Sequence, residues 1–173
     1  MMPYSENGVT VHFPNEDYFF LSECEAYDKL KSFGVKEMDV CWLDKASNVL
    51  WMVELKAFDH AENVHFRQVD LSSKDVIEYW LNELFLKSVH TLGMIETNRS
   101  GTKKCLIPGI ALDTEYKIVH IINVMHGQEE YLSFMKDRLQ SQLEPYIKIF
   151  NVDSISIIPY NSAKNQKLLK WII

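Results

Sequence analysis

The chain has 173 residues, 47% hydrophobic and 24% charged, an ordinary balance for a soluble globular protein and enough apolar content for one substantial core. That length predicts a single domain spanning 1–173. A formal net charge of −6 is the reverse of the basic footprint of a protein that grips nucleic acid unaided, so such binding would need a local basic patch, a divalent ion, oligomerisation or a partner.

Residues Met1 to Asn7 are polar with a proline and read as a loose lead-in. Gly8–Phe13 alternates as a short strand, Pro14–Asp17 reads as a turn or helix entry, and the apolar run Tyr18–Leu21 must be buried or form an edge. Ser22–Phe33 is predicted as a helix ended by Gly34, with Ser22 as N-cap and Glu25 completing a capping box. Its apolar stripe is Ala26, Tyr27, Leu30 and Phe33, and helical phase puts Glu23 on that inward face.

Val35–Phe58 is two apolar runs joined by Asp44–Asn48, the pattern of a hairpin. Asp39 sits inside the first run, while Glu54 and Lys56 close the second. Because successive strand side chains alternate between faces, Glu54 and Lys56 leave the sheet on one side. Glu37 shares the face of Asp39, but Asp39 lies nearer the middle of its apolar run, where an uncompensated carboxylate costs most. Asp44 reads as turn chemistry.

An acidic strand residue followed across a turn by Glu-x-Lys resembles the PD-(D/E)xK nuclease superfamily. The resemblance rests on Asp39, Glu54 and Lys56 and covers about residues 22–89. It implies a restriction-endonuclease-like core of helix, three strands, helix and strand. It also implies a Mg²⁺ (or Mn²⁺) cofactor held by Asp39, Glu54 and the Leu55 carbonyl, with Glu23 on the preceding helix as a further ligand or catalytic group. The chemistry suits these residue types: Mg²⁺ takes oxygen ligands and makes a bound water more acidic, and Lys56 would assist the attacking water or stabilise charge on the phosphate. Glu-x-Lys alone is a weak signal, since Glu115-Tyr116-Lys117 matches it too. That second copy follows Asp113-Thr114 and reads as a turn entering a strand.

Asp59–Ser73 is polar and would lie beside the site, with Arg67 and Gln68 as candidate substrate contacts. Ser73–Leu92 is the longest predicted helix, with Val76, Ile77, Trp80, Leu81, Leu84, Phe85 and Val89 inward, Glu78, Glu83 and Lys87 outward, and Gly93 at its end. The loop Thr97–Lys104 offers Arg99, Lys103 and Lys104 as a basic patch for nucleic acid. Cys105–Leu112 and Lys117–Met125 read as a second hairpin, Gln128–Leu143 as a helix and Ser154–Pro159 as a strand. Leu168, Leu169, Trp171 and Ile172 call for a tail that is tied down.

The element order predicts an α/β domain with a central mixed sheet flanked by helices. Cys24, Cys41 and Cys105 have no paired spacing, so buried reduced thiols are expected rather than a disulfide framework or zinc site. With no membrane-length apolar segment and no basic-then-apolar N-terminus, a cytoplasmic protein is expected. The resemblance points to a metal-dependent endonuclease acting on DNA, as a homodimer or as a subunit of a larger complex. Two alternatives stand beside it: a catalytically silent nuclease-like assembly subunit, and an unrelated α/β domain in which Glu54 and Lys56 form a structural ion pair.

Overall fold

The computed structural model describes residues 2–58, 70–100, 109–166, 169 and 171–172. It opens with a hairpin where a loose lead-in was expected. β1 (Met2–Glu6) pairs antiparallel with β2 (Val9–Phe13). The turn is Asn7-Gly8, with φ of 51° and 74°, the left-handed backbone that asparagine and glycine tolerate and that a two-residue hairpin requires. The edge strand β3 (Tyr18–Phe19) follows, then a 3-10 turn over Leu21–Glu23 and the short α1 (Glu25–Lys31). The expected capping box is absent: Cys24 is the N-cap and makes no side-chain capping bond. The expected stripe is also incomplete, since Tyr27 is buried whereas Leu30 and Phe33 are exposed.

β4 (Val40–Asp44) and β5 (Val49–Ala57) form the predicted hairpin. Asp44 is the turn residue expected, its carboxylate accepting the Ala46 and Ser47 N–H groups. α2 (Lys74–Ser100) then runs 27 residues, through Gly93 rather than ending at it. It is followed by β6 (Glu115–Asn123), α3 (Glu129–Ile149), β7 (Val152–Pro159) and α4 (Tyr160–Gln166). The sheet order is β3-β4-β5-β6-β7, antiparallel from β3 to β5 and parallel from β5 to β7. β6 therefore lies between β5 and β7; of the strand expected over Cys105–Leu112, residues 109–112 form none, and residues 101–108 lie outside the described residues.

Strand alternation divides the core into two layers. Cys41, Leu43, Leu50, Met52, Tyr116, Ile118 and Ile155 face one side, packed under Leu81 and Leu84 of α2 and Leu139 and Leu143 of α3. Val40, Trp42, Val53, Leu55, Val119 and Ile121 face the other, covered by Val9, Val11 and Phe13 of β2, Ala163 of α4, and Trp171 and Ile172. The chain's last described residues are thus tied down, and the His12 N–H donates to the Trp171 carbonyl at 2.6 Å. The architecture is the expected mixed α/β sheet flanked by helices. Cys41 is a buried free thiol as expected, but Cys24 is disulfide-bonded, which corrects the expectation of reduced thiols throughout. Among the described residues, no helix is long and apolar enough to cross a membrane.

Candidate active site

The site forms where β4 turns away from β5. Their last backbone pair is Val40 with Val53, while β5 continues beside β6 as far as Ala57. Leu55 therefore faces the gap with its N–H and C=O, which must find partners when buried. Asp39 supplies one: its carboxylate accepts the Leu55 N–H at 2.7 Å. Asn7, at the tip of the first hairpin, supplies the other by donating to the Leu55 carbonyl at 3.0 Å. The sheet irregularity thus brings the Asp39 carboxylate up to the Glu-x-Lys strand.

Glu54 and Lys56 leave β5 on the α2 side, as strand alternation predicts, with Lys56 Nζ 2.9 Å from Glu54 Oε1. Glu54 is fully buried. A lysine from α2 completes the cluster. Lys87 Nζ lies 2.6 and 2.8 Å from the two Glu54 oxygens and 3.1 Å from Asp39 Oδ1. The helical pattern assigned Lys87 and Glu83 to the solvent face, yet both side chains are mostly buried, at 16% and 18% exposure. No local signal marks Lys87, because an outward lysine on an amphipathic helix is the commonest of patterns. Its partners come from tertiary packing.

Burial, and then the Asp39 charge, push Glu54 up to about 7, against the pull of Lys87 and Lys56. Burial works against the charged form of Lys87, but the Glu54 and Asp39 carboxylates outweigh it and hold the ammonium well above its usual range. Beneath them His120, paired in register with Glu54 on β6, is fully buried. Its Nε2 lies 3.2 Å from Ser88 Oγ, and its Nδ1 has no partner among the described residues. Burial and the two lysine charges lower it to about 3, so it stays neutral at physiological pH.

Glu37, the residue weighed against Asp39, is half-buried, with an Oε2 that lacks a partner among the described residues. Desolvation raises its pKa, and the charge of Lys87 lowers it. The segment around it is fastened to α2. Lys36 Nζ reaches Glu83 at 2.5 and 2.6 Å, the Lys36 N–H donates to His90 Nδ1 at 3.1 Å, and the Met38 N–H donates to Thr91 Oγ1 at 2.8 Å.

Three of the sequence-predicted residues, Asp39, Glu54 and Lys56, thus meet, joined by the Leu55 backbone. Glu23 stands apart from the expectation. It is exposed on the 3-10 turn, because the helix whose phase would have turned it inward begins only at Glu25. Among the described residues no three His, Cys, Asp or Glu side chains gather as a metal group. Arg67, Gln68, Lys103 and Lys104 lie outside the described residues, and the side chain of Arg99, within α2, is likewise not described. The donor set that remains, two carboxylates and one carbonyl, is all oxygen and suits a hard divalent cation that retains waters of its own. The carboxylates already converge on a single positive charge, that of Lys87. Comparison with protein-family models, curated proteins and solved structures finds no match to this chain.

Proposed function

We propose that the protein is a metal-dependent nuclease of the restriction-endonuclease-like type, hydrolysing phosphodiester bonds. The observation that carries this reading is the convergence of Asp39, Glu54 and Lys56 at the end of β5, with both carboxylates within 3.1 Å of one cationic nitrogen. The antiparallel run β3-β4-β5, followed by α2 and the parallel β6, fits the core that the Glu-x-Lys resemblance implies. Its short α1 falls after the first of these strands rather than before it.

Asp39 and Glu54 would hold a Mg²⁺ or Mn²⁺ ion, with the Leu55 carbonyl as a further ligand. Bound there, the ion would offset the phosphate charge and make a coordinated water more acidic. Lys56, less buried than Glu54, would orient that water or meet charge developing on the phosphate. DNA as the substrate follows the resemblance, and so does an assembly in which a second copy or a partner supplies the positive surface that a −6 chain lacks. This role puts the protein in the cytoplasm with its substrate. The Cys24 disulfide pulls the other way, since the cytosolic thiol pool keeps most cysteines reduced.

One observation favours a second reading, a catalytically silent assembly subunit: the Lys87 ammonium already fills the space between the two carboxylates. Nuclease assays separate the two. Plasmid, linear DNA, single-stranded DNA and RNA would be incubated with Mg²⁺ or Mn²⁺ and native protein, Asp39→Asn or Lys56→Ala. Metal-dependent cleavage by the native chain alone supports the enzyme, and no cleavage by folded native protein on any substrate favours the subunit.

A further inference from the structure

We propose that Lys87 is a built-in counter-cation of the site, occupying the Asp39–Glu54 cleft until a divalent ion displaces it onto Glu37. This rests on the metal-dependent reading above and specifies how that site is loaded.

The geometry excludes joint occupancy. Mg²⁺ binds carboxylate oxygens at about 2.0–2.1 Å. The point that both carboxylates face is taken by Lys87 Nζ, at 2.6 Å from Glu54 Oε1 and 3.1 Å from Asp39 Oδ1. A cation bridging the same oxygens would lie against the ammonium, and two like charges at such separation in a buried place repel strongly. Lys87 must leave for the ion to enter.

It has somewhere to go. Glu37 lies in the segment that α2 grips, two residues from Asp39, and carries a buried oxygen with no partner among the described residues. The grip does not depend on Lys87, because Glu83, His90 and Thr91 already fasten Lys36 and Met38. A lysine has four side-chain torsions and a compact charge, so it can swing while its helix stays docked.

Charge balance favours the exchange. Before metal, Asp39, Glu54 and an ionised Glu37 face Lys56 and Lys87, which leaves one net negative charge. With a divalent ion in the cleft and Lys87 held by Glu37, the same cluster carries one net positive charge. A phosphodiester, with one negative charge, would bring it to neutrality. The site would thus hold a lone metal weakly and metal with substrate well.

Mn²⁺ binding to the full chain, read by calorimetry and by the electron paramagnetic resonance of the free ion, tests this without relying on turnover. Lys87→Met should bind Mn²⁺ on the order of tenfold more tightly than the native protein, having lost the competing charge. Glu37→Gln should bind it several-fold more weakly, because the displaced ammonium loses its negatively charged partner. Since Lys87→Met leaves buried carboxylates short of a partner and so strains the fold, Lys87→Arg is the second variant. Its forked guanidinium should clamp the carboxylates and weaken Mn²⁺ binding. Equal affinity in native, Lys87→Arg and Glu37→Gln proteins, with Glu54→Gln abolishing binding, would leave the metal site standing and overturn the role of Lys87. No Mn²⁺ binding by any of them, folded, would remove the metal reading and this proposal together.

Discussion

Glu54-Leu55-Lys56 and Glu115-Tyr116-Lys117 carry the same charges at the same spacing on neighbouring parallel strands, and their surroundings could hardly differ more. Glu54 is fully buried between two lysines, against Asp39. Glu115 is exposed at the mouth of β6, and Lys117 lies 3.1 Å from a half-exposed Asp153 with its ammonium over the Trp51 ring. What separates them is position along the sheet. The first triplet closes β5 where β4 has turned away and α2 crosses above, so a carboxylate and an ammonium from other elements can enter. The second opens its strand, where β5 is still paired on its far side to β4. A charged triplet becomes a site only where the sheet leaves a gap.

The largest contrast should appear in catalysis. Lys56→Ala should lower metal-dependent cleavage by at least about a hundredfold, the usual scale for losing a group that stabilises transition-state charge, whereas Lys117→Ala should cleave at the native rate. Initial rates on the best substrate of the panel would show it. Equal losses in both would erase the distinction between the triplets.

Stability should divide them next. Glu54→Ala strands two mostly buried ammonium groups and should cost about 3–5 kcal/mol, while Glu115→Ala should stay within about 0.5 kcal/mol. Urea unfolding of the two variants measures both. Breaking the Lys117–Asp153 bridge by Lys117→Met should cost no more than about 1 kcal/mol, as befits a solvent-exposed pair.

Acid titration sharpens the contrast, because the first triplet has a buried histidine beneath it. His120 charges near 6.5 in the unfolded chain but only near 3 when folded, so the unfolded state takes up the proton and stability falls as pH drops through that window. Glu54 acts in the opposite sense. Its folded value of about 7 lies above the ordinary 4.5, so its contribution is fully present below 4.5 and is lost as pH rises to 7. Between 4.5 and 6.5 the two slopes, each about 1.4 kcal/mol per pH unit at most, oppose one another. His120→Leu should remove one of them, so that the variant gains stability relative to native as pH falls below 6.5. Parallel native and variant profiles over pH 4 to 7 would refute the assignment.

The smallest effect concerns α2, which supplies Lys87 to the first triplet. Gly93 lies within this helix, and a Cβ there meets nothing within 4 Å. Gly93→Ala should raise stability by about 0.5–1 kcal/mol by stiffening the unfolded chain, with no change in Mn²⁺ affinity; a melting-temperature shift reports it.

These residues also mark what a sequence can disclose. Asp39, Glu54 and Lys56 are legible because charges inside apolar, period-two runs violate the expected pattern, and the mixed sheet follows from the order of such runs. Lys87 and His120 are not. A lysine on an amphipathic helix and a histidine within an apolar strand break no local rule, and their roles arise from the α2 crossover and the parallel pairing of β5 with β6. The Asn7-Gly8 turn was written in the sequence all along, as the strongest short hairpin signal there is, but its strand is short and carries a proline. Glu23 shows the converse error, since a helical phase holds only where the helix has begun.

The hydrogen bond from His12 to Trp171 joins residues about 160 positions apart. In kinetic terms it divides the molecule's assembly in time. The layer under α2 closes through shorter-range crossovers, whereas the aromatic layer of Phe13, Trp42, Trp51 and Trp171 needs the two ends of the described chain to meet, a contact of far higher order. The Asp39–Glu54 face should therefore be in place before the slowest refolding phase, and that phase should lose amplitude in the tryptophan fluorescence of Trp171→Phe, where Trp42 and Trp51 still report it, while persisting unchanged in far-ultraviolet dichroism.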